Sequence, residues 1–304
     1  MTLTLGLDVL VPLALLSLAA SFVNGGLGYG YSSLSTPLAL LVLVNKVINP
    51  VYVLTEASMN TVMLGFSGRA GIRATFRRVL PIVAALVPGI IVGSLALSKL
   101  SPTWVKLVVY GTILPLILLQ AAGVRRAIKS ETTAGVPLGL GIGLLYSITT
   151  ISGPPIALFW NNQGLPQREF KAAVAQVRIA ESYLTCASYY LLGLFTASTV
   201  QIFTWVAPPV VLGIPLGIFV VRRVNIETFR RICMSFDSLV VGYGLATVLG
   251  ILFGLLLFGY YILLAVIAIN AVLLYRFFSG RGRSRSPGGP PPKDIAGEAG
   301  VRGA

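Results

Sequence analysis

The chain contains no histidine, and only 9 of its 304 residues are acidic. Its two cysteines, Cys186 and Cys233, sit in separate apolar stretches and read as small buried hydrophobes. Without His and without paired Cys there is no ligand set for zinc and no imidazole relay. No metal site and no cofactor is expected. Charged residues of both signs are scarce, 11% of the chain, where a soluble domain carries about a quarter. That is too little polar surface to coat a globule in water. Apolar residues make up 56%, with a mean hydropathy of +0.87, so the natural solvent is a bilayer.

A membrane-crossing helix needs about 20 apolar residues. Apolar segments run at 8–23, 26–44, 51–67, 79–98, 104–122, 136–160, 172–195, 204–221, 232–249 and 252–275. The first has no basic leader and no small-residue cleavage site, so it reads as a membrane segment rather than a signal peptide. The expected fold is an all-α polytopic membrane protein of eight to ten membrane segments.

The net charge of +14 is spread in short clusters between these segments, which excludes a nucleic-acid partner and matches membrane orientation. Arg69, Arg73, Arg77 and Arg78 form one cluster, and Arg125, Arg126 and Lys129 another. Arg168 and Lys171, then Arg222, Arg223, Arg230 and Arg231, then Arg276 follow. All fall on one side if 136–160 is a broken, re-entrant hairpin. The N-terminus is then outside and the C-terminus cytoplasmic, in a multi-pass protein of the cell membrane. The tail 279–304, with its Arg-Ser and Gly-Pro runs, reads as a disordered basic segment and topology anchor.

An internal repeat underlies this pattern. Sliding the second half back by 118 residues places Gly143 on Gly25, Pro155 on Pro37 and Ala157 on Ala39. After a seven-residue insertion Glu181 falls on Glu56, and after a one-residue loss Gly213 and Gly217 fall on Gly89 and Gly93. The expected organisation is a first repeat over 1–129, a second over 130–249, an extra helix over 250–278 and the tail. By the charge pattern the two repeats are inverted, an architecture that holds substrate near the midplane on discontinuous helices.

The discontinuities are visible. The stretch Asn24 to Pro37 carries four glycines, Gly25, Gly26, Gly28 and Gly30, and then Ser32, Ser33, Ser35 and Thr36 ahead of the proline. Its partner runs Thr149, Thr150, Ile151, Ser152, Gly153, Pro154, Pro155. Such residues are poor helix formers, and unwound backbone survives in lipid only inside protein or beside a wet cavity. A new helix starting there offers free N–H groups and a partial positive charge to an anion. The alternative is that Gly and Ser merely allow close helix packing.

These residues also carry a resemblance. Val23 to Gly30 leading to Thr36-Pro37, Gly141-Ile142-Gly143 leading to Ser152-Gly153-Pro154-Pro155, and Asn162 to Leu165 before Phe170-Lys171-Ala172 resemble the TauE/SafE sulfite-exporter family of permeases over roughly 8–249. The resemblance implies two four-helix repeats and transport of sulfite, an organosulfonate or a related small anion. The segment 252–275 and the residues Glu56 and Glu181 depart from the family's pattern.

Charges within the apolar segments complete the candidate site. Glu56, Arg178, Glu181 and Asp237 are costly there, by about 2.5–3.5 kcal/mol for Arg or Asp at a helix centre, and such residues face a cavity or a partner. Arg178 and Glu181 are three apart, on one helix face, and form either a structural pair or part of the site. The candidate substrate contacts are Gly28, Gly30, Ser32, Ser33, Ser35, Thr36, Asn60, Thr150, Ser152, Gly153, Pro154 and Arg178. Glu56, Glu181 and Asp237 are the proton-coupling candidates, since burial disfavours the charged carboxylate. Gln176 reads as a rim residue, and Trp104, Trp160 and Trp205 as interfacial anchors.

The leading expectation is a secondary transporter, most simply an exporter, moving a small anion by alternating access, with protons as a candidate driving ion. An anion channel, a carrier of another solute class, and a structural or lipid-handling protein are the alternatives. Intramembrane hydrolysis would need paired Asp, Ser–His or a metal set, and no enzyme activity is expected. The partners are a small anion and the lipid bilayer; a homodimer is compatible with the sequence.

Overall fold

Where the glycines and prolines cluster, the helices stop. The computed structural model describes residues 5–122, 130–221, 223–224 and 226–279, among which there are ten helices and no strand. Arg125, Arg126, Lys129, Arg222 and residues 280–304 of the expected tail lie outside the described residues. In chain order the helices are α1 (Leu7–Leu27), α2 (Tyr31–Ala39), α3 (Asn45–Lys99), α4 (Pro102–Ala122), α5 (Glu131–Thr149), α6 (Gly153–Asn162), α7 (Gln167–Leu191), α8 (Ala197–Val221), α9 (Ile226–Phe253) and α10 (Leu256–Phe278). The chain is thus an all-α polytopic membrane protein. Five helical stretches are long and apolar enough to cross a bilayer: Leu7–Leu27, Arg69–Lys99, Ala197–Val221, Thr228–Phe253 and Leu257–Phe278.

α2 and α6, at 9 and 10 residues, reach about 15 Å at 1.5 Å per residue, half the hydrocarbon thickness. Each ends its run inside the protein. α5, at 19 residues, is the long limb of the hairpin read from the sequence and α6 the short one.

The arginine cluster 69–78 does not lie in an open loop, as the sequence reading had it. Helical hydrogen bonding continues through it, giving α3 55 residues. α3 nevertheless doubles back, because the Lys46 ammonium donates to the Ser98 carbonyl at 2.9 Å. In a straight helix those 52 residues would span about 78 Å. Its first limb packs along α7 and its second along α5.

Two glycine seams join the parts crosswise, α1 against α8 and α3 against α5. A Cβ on Gly89 would meet Leu144 at 2.9 Å and also strike the Leu140 carbonyl. One on Gly213 would meet Leu18 at 2.7 Å and Phe22 at 3.0 Å. Leu140 and Leu18 differ by 122, as do Leu144 and Phe22. The helix ends agree, since 149 − 27 and 153 − 31 are both 122. The offset of 118 read from glycine and proline identities is therefore one helical turn short across α1 and α5.

α10 packs on α9 and α4. Inside the bilayer its buried Asn270 amide donates to the Ser238 hydroxyl of α9 at 2.7 Å, and Gly259 lets it approach the backbone at Ala246. Asn270→Leu should lower stability by about 0.6–1.7 kcal/mol, the usual worth of one interhelical bond in lipid. The check is the thermal midpoint of the purified protein in detergent against wild type.

Trp160 is fully buried on α6, under the Arg78 guanidinium at 5.9 Å. It is a packing residue rather than the interfacial anchor expected. Trp104 and Trp205 are exposed on the apolar surface. Cys186 and Cys233 are free and half-buried rather than fully enclosed.

Candidate functional site

A helix end inside a bilayer leaves carbonyls and amides that water cannot reach. The last turn of α5 shows how they are satisfied. The Tyr146 carbonyl accepts from Thr150 N–H at 2.6 Å, Ser147 from the Tyr189 hydroxyl at 2.6 Å, Ile148 from the Asn49 amide at 2.7 Å, and Thr149 from the Thr150 hydroxyl at 2.6 Å. At the end of α1, Gly28 N–H returns to Asn24 at 2.7 Å and the Lys171 ammonium reaches the Gly26 carbonyl at 3.2 Å. Gly28 and Gly30 take positive φ, 85° and 112°, as the turn between α1 and α2 requires. Thr150 makes the matching turn at φ 62° without being glycine, a strained position of the kind found at functional sites.

The two breaks touch. Thr36 and Thr150 share a hydrogen bond at 3.0 Å, and a Cβ on Gly153 would stand 3.3 Å from Tyr29. Ser32, Ser33, Ser35, Thr36, Thr150 and Ser152 are all buried.

Beside the breaks lies a charged cluster built by α3 and α7. Glu56 accepts from the Ser32 hydroxyl, from Arg178 Nη2, and from the Tyr146 hydroxyl at 2.8 Å. Glu181 accepts from the Ser152 hydroxyl, and its Oε1 lies 3.8 Å from Arg178 Nε. Each carboxylate therefore holds a serine of the neighbouring break, and one guanidinium stands between them. Arg178 Nη1 reaches Asn24 at 3.4 Å. All three charged residues are 1% exposed or less. The pair Arg178–Glu181 expected on one helix face is present, but the direct ion pair is with Glu56 on another helix. Glu181 Oε2 has no hydrogen-bond partner among the described residues.

Other candidates are occupied structurally. Ser35 donates to the Tyr31 carbonyl at 2.7 Å, Ser33 to Gly30 at 3.1 Å, and Asn60 to the Arg178 carbonyl at 3.5 Å. Gly28 lies against the Lys171 stem. Gln176 donates to Thr75 at 2.5 Å between α7 and α3. Gly30 and Ser152 are the N-caps of α2 and α6. The two helix starts are unequal: α2 opens with the N–H groups of Tyr31, Ser32 and Ser33, whereas Pro154 and Pro155 deprive α6 of two.

Asp237, on α9, stands apart from the cluster. It lines a cavity of about 10 Å³ with Gly30, Ser33, Pro154 and Cys233, just the size of one water. No group of three or more His, Cys, Asp or Glu able to hold a metal occurs among the described residues. The sequence reading missed Asn24, Tyr146 and Asn49. Tyr146 lies one turn ahead of the second break, which is a signal the sequence offers; Asn49 lies beyond the end of α2 and carries no such mark.

A family model described as Sulfite exporter TauE/SafE matches residues 13–244. No curated protein and no solved structure matches.

Proposed function

We propose a transport function from the premise that this chain belongs to the Sulfite exporter TauE/SafE family, and that function is movement of a small anion, sulfite or an organosulfonate, by alternating access. The observation carrying this reading is the contact between two buried helix breaks, Thr36 against Thr150. The anion seat is the start of α2, where the amides of Tyr31, Ser32 and Ser33 have no carbonyl one turn back and the helix end is partly positive. Arg178 attracts the anion to the neighbourhood but stays tied to Glu56.

The cavity at the breaks has room for a single water, so a sulfur oxyanion enters only when helices part. The glycine seams keep α1 with α8 and α3 with α5 as rigid units, because backbones in contact transmit displacement rather than absorb it. Motion falls between those units, at the breaks. The basic clusters orient the chain with its C-terminus in the cytoplasm, the halves 1–129 and 130–249 inverted about the site, and α10 an addition to them.

Protein reconstituted into liposomes should exchange labelled sulfite or methanesulfonate across the membrane at rates well above empty vesicles. Inertness toward every small anion offered, with a folded protein, would defeat the reading.

A further inference from the structure

Asp237 is a buried carboxylate that belongs to neither the anion seat nor the Glu56–Arg178–Glu181 cluster. It is 7% exposed, between the buried hydroxyls of Ser235 and Ser238 on α9, and its Oδ1 has no hydrogen-bond partner among the described residues. Ser33, in the first turn of α2 and so beside the proposed anion seat, lines the same cavity as Asp237. The walls of the cavity it lines are mostly hydrocarbon: Val23, Leu27, Ile117, Pro154 and Met234.

Groups able to compensate the charge are engaged elsewhere. On α4, Tyr110 donates to the Pro37 carbonyl at 3.1 Å and Lys106 to the Leu40 carbonyl. Lys171 of α7 is bonded to Gly26, and Arg178 to Glu56. On α9 itself Arg231 lies over Phe277 of α10 at 4.6 Å, and Cys233 lines the same cavity, as does Tyr29 from the first break. From α10, Asn270 reaches α9 and is bonded to Ser238. Arg230 is a further cation of α9, and no ion pair to Asp237 occurs among the described residues.

A carboxylate in an apolar, water-sized space has two ways to neutralise itself, a proton or a metal cation. A sodium ion wants five or six oxygens, and the residues lining the cavity offer the Asp237 carboxylate, the Ser33 and Tyr29 side chains and the backbone of the break. A proton needs only the unpartnered oxygen. An anion at the start of α2 would face Asp237 across a space with room for one water at most, too little to screen the two. The anion can therefore settle only once that carboxylate has been neutralised.

We infer that Asp237 is the proton site of this transporter and that each anion travels with one proton bound there. The proton leaves water on one side, adds to Oδ1 when the helices part, and departs to water on the other side as the anion is released. This rests on the transport reading, so its test includes a measurement that needs no substrate.

First, the carboxyl band in the infrared spectrum of the full chain in liposomes is titrated with pH in the absence of anion. Wild type should show a titrating band that Asp237→Asn lacks, and Ser33→Ala should move its midpoint. Identical titrations in wild type and D237N would overturn the inference, whatever transport shows. Second, methanesulfonate, the anion of a strong acid, is driven into vesicles containing a pH dye. Wild type should carry about one proton per anion, and D237N a ratio near zero. A ratio unchanged in D237N, or uptake in wild type that follows a sodium gradient and moves no proton, would also overturn it. A titrating band with no flux of any anion would defeat the transport reading instead.

Discussion

Arg178→Met is expected to be the most damaging substitution in the membrane interior. It leaves Glu56 and Glu181, both fully buried, without a cation, and breaking a buried pair in this way costs about 3–5 kcal/mol. That is a large part of the stability of any domain. The expected outcome is a steep fall in the yield of monodisperse protein and complete loss of anion exchange. Glu56→Gln should be milder. Glu181 lies 3.8 Å from the guanidinium and can take it over, while the Gln carbonyl still accepts from Ser32 or Tyr146. The ordering, R178M well below E56Q in thermal midpoint and E56Q below wild type, is the measurement. Equal midpoints for the two would mean that the guanidinium is not the shared counter-ion of the cluster.

The second large effect concerns two glycines two residues apart on α5. Gly143 faces α3, and a Cβ there would sit 3.1 Å from Ile90 N and as close to Leu86 Cα. Gly143→Ala should cost about 1–3 kcal/mol or more, the range for forcing atoms into a packed contact. Gly141 has nothing within 4 Å of its missing Cβ. Gly141→Ala should stabilise by about 0.5–1 kcal/mol through helix propensity alone. Thermal melting of the two variants in detergent reads the opposite signs directly. Should both lose stability alike, the seam between α3 and α5 would be packed otherwise than described.

The elements legible in the sequence were those written in backbone chemistry. Gly28, Gly30 and the run from Thr150 to Pro155 mark the breaks, because a helix cannot pass such residues cheaply and lipid forbids an exposed end. The register of the repeat was harder. Four residues along a helix return nearly to the same face, so an alignment one turn out still matches small residues to small residues. Glycine identity sets Gly25 on Gly143, whereas the contacts at Leu18 and Leu140 make Ser147 the equivalent of Gly25. The Glu56–Arg178 pair was hidden for another reason. It joins helices 122 residues apart in sequence, and the only relation that spacing exposes is the weaker one to Glu181 on the same helix. The arginines at 69–78 misled because charge between apolar runs normally means a loop, while a helix turning back outside the hydrocarbon keeps its own hydrogen bonds and needs none.

Pro154 and Pro155 carry a consequence for direction. In the transport cycle proposed above, a substrate held by three amides at one helix start and by far fewer at the other would be gripped unevenly as the pathway switches sides. Its release should be slower toward one compartment than the other, so a vesicle with protein inserted one way round would fill and empty at different rates. Rectification of this kind would be written into two proline rings.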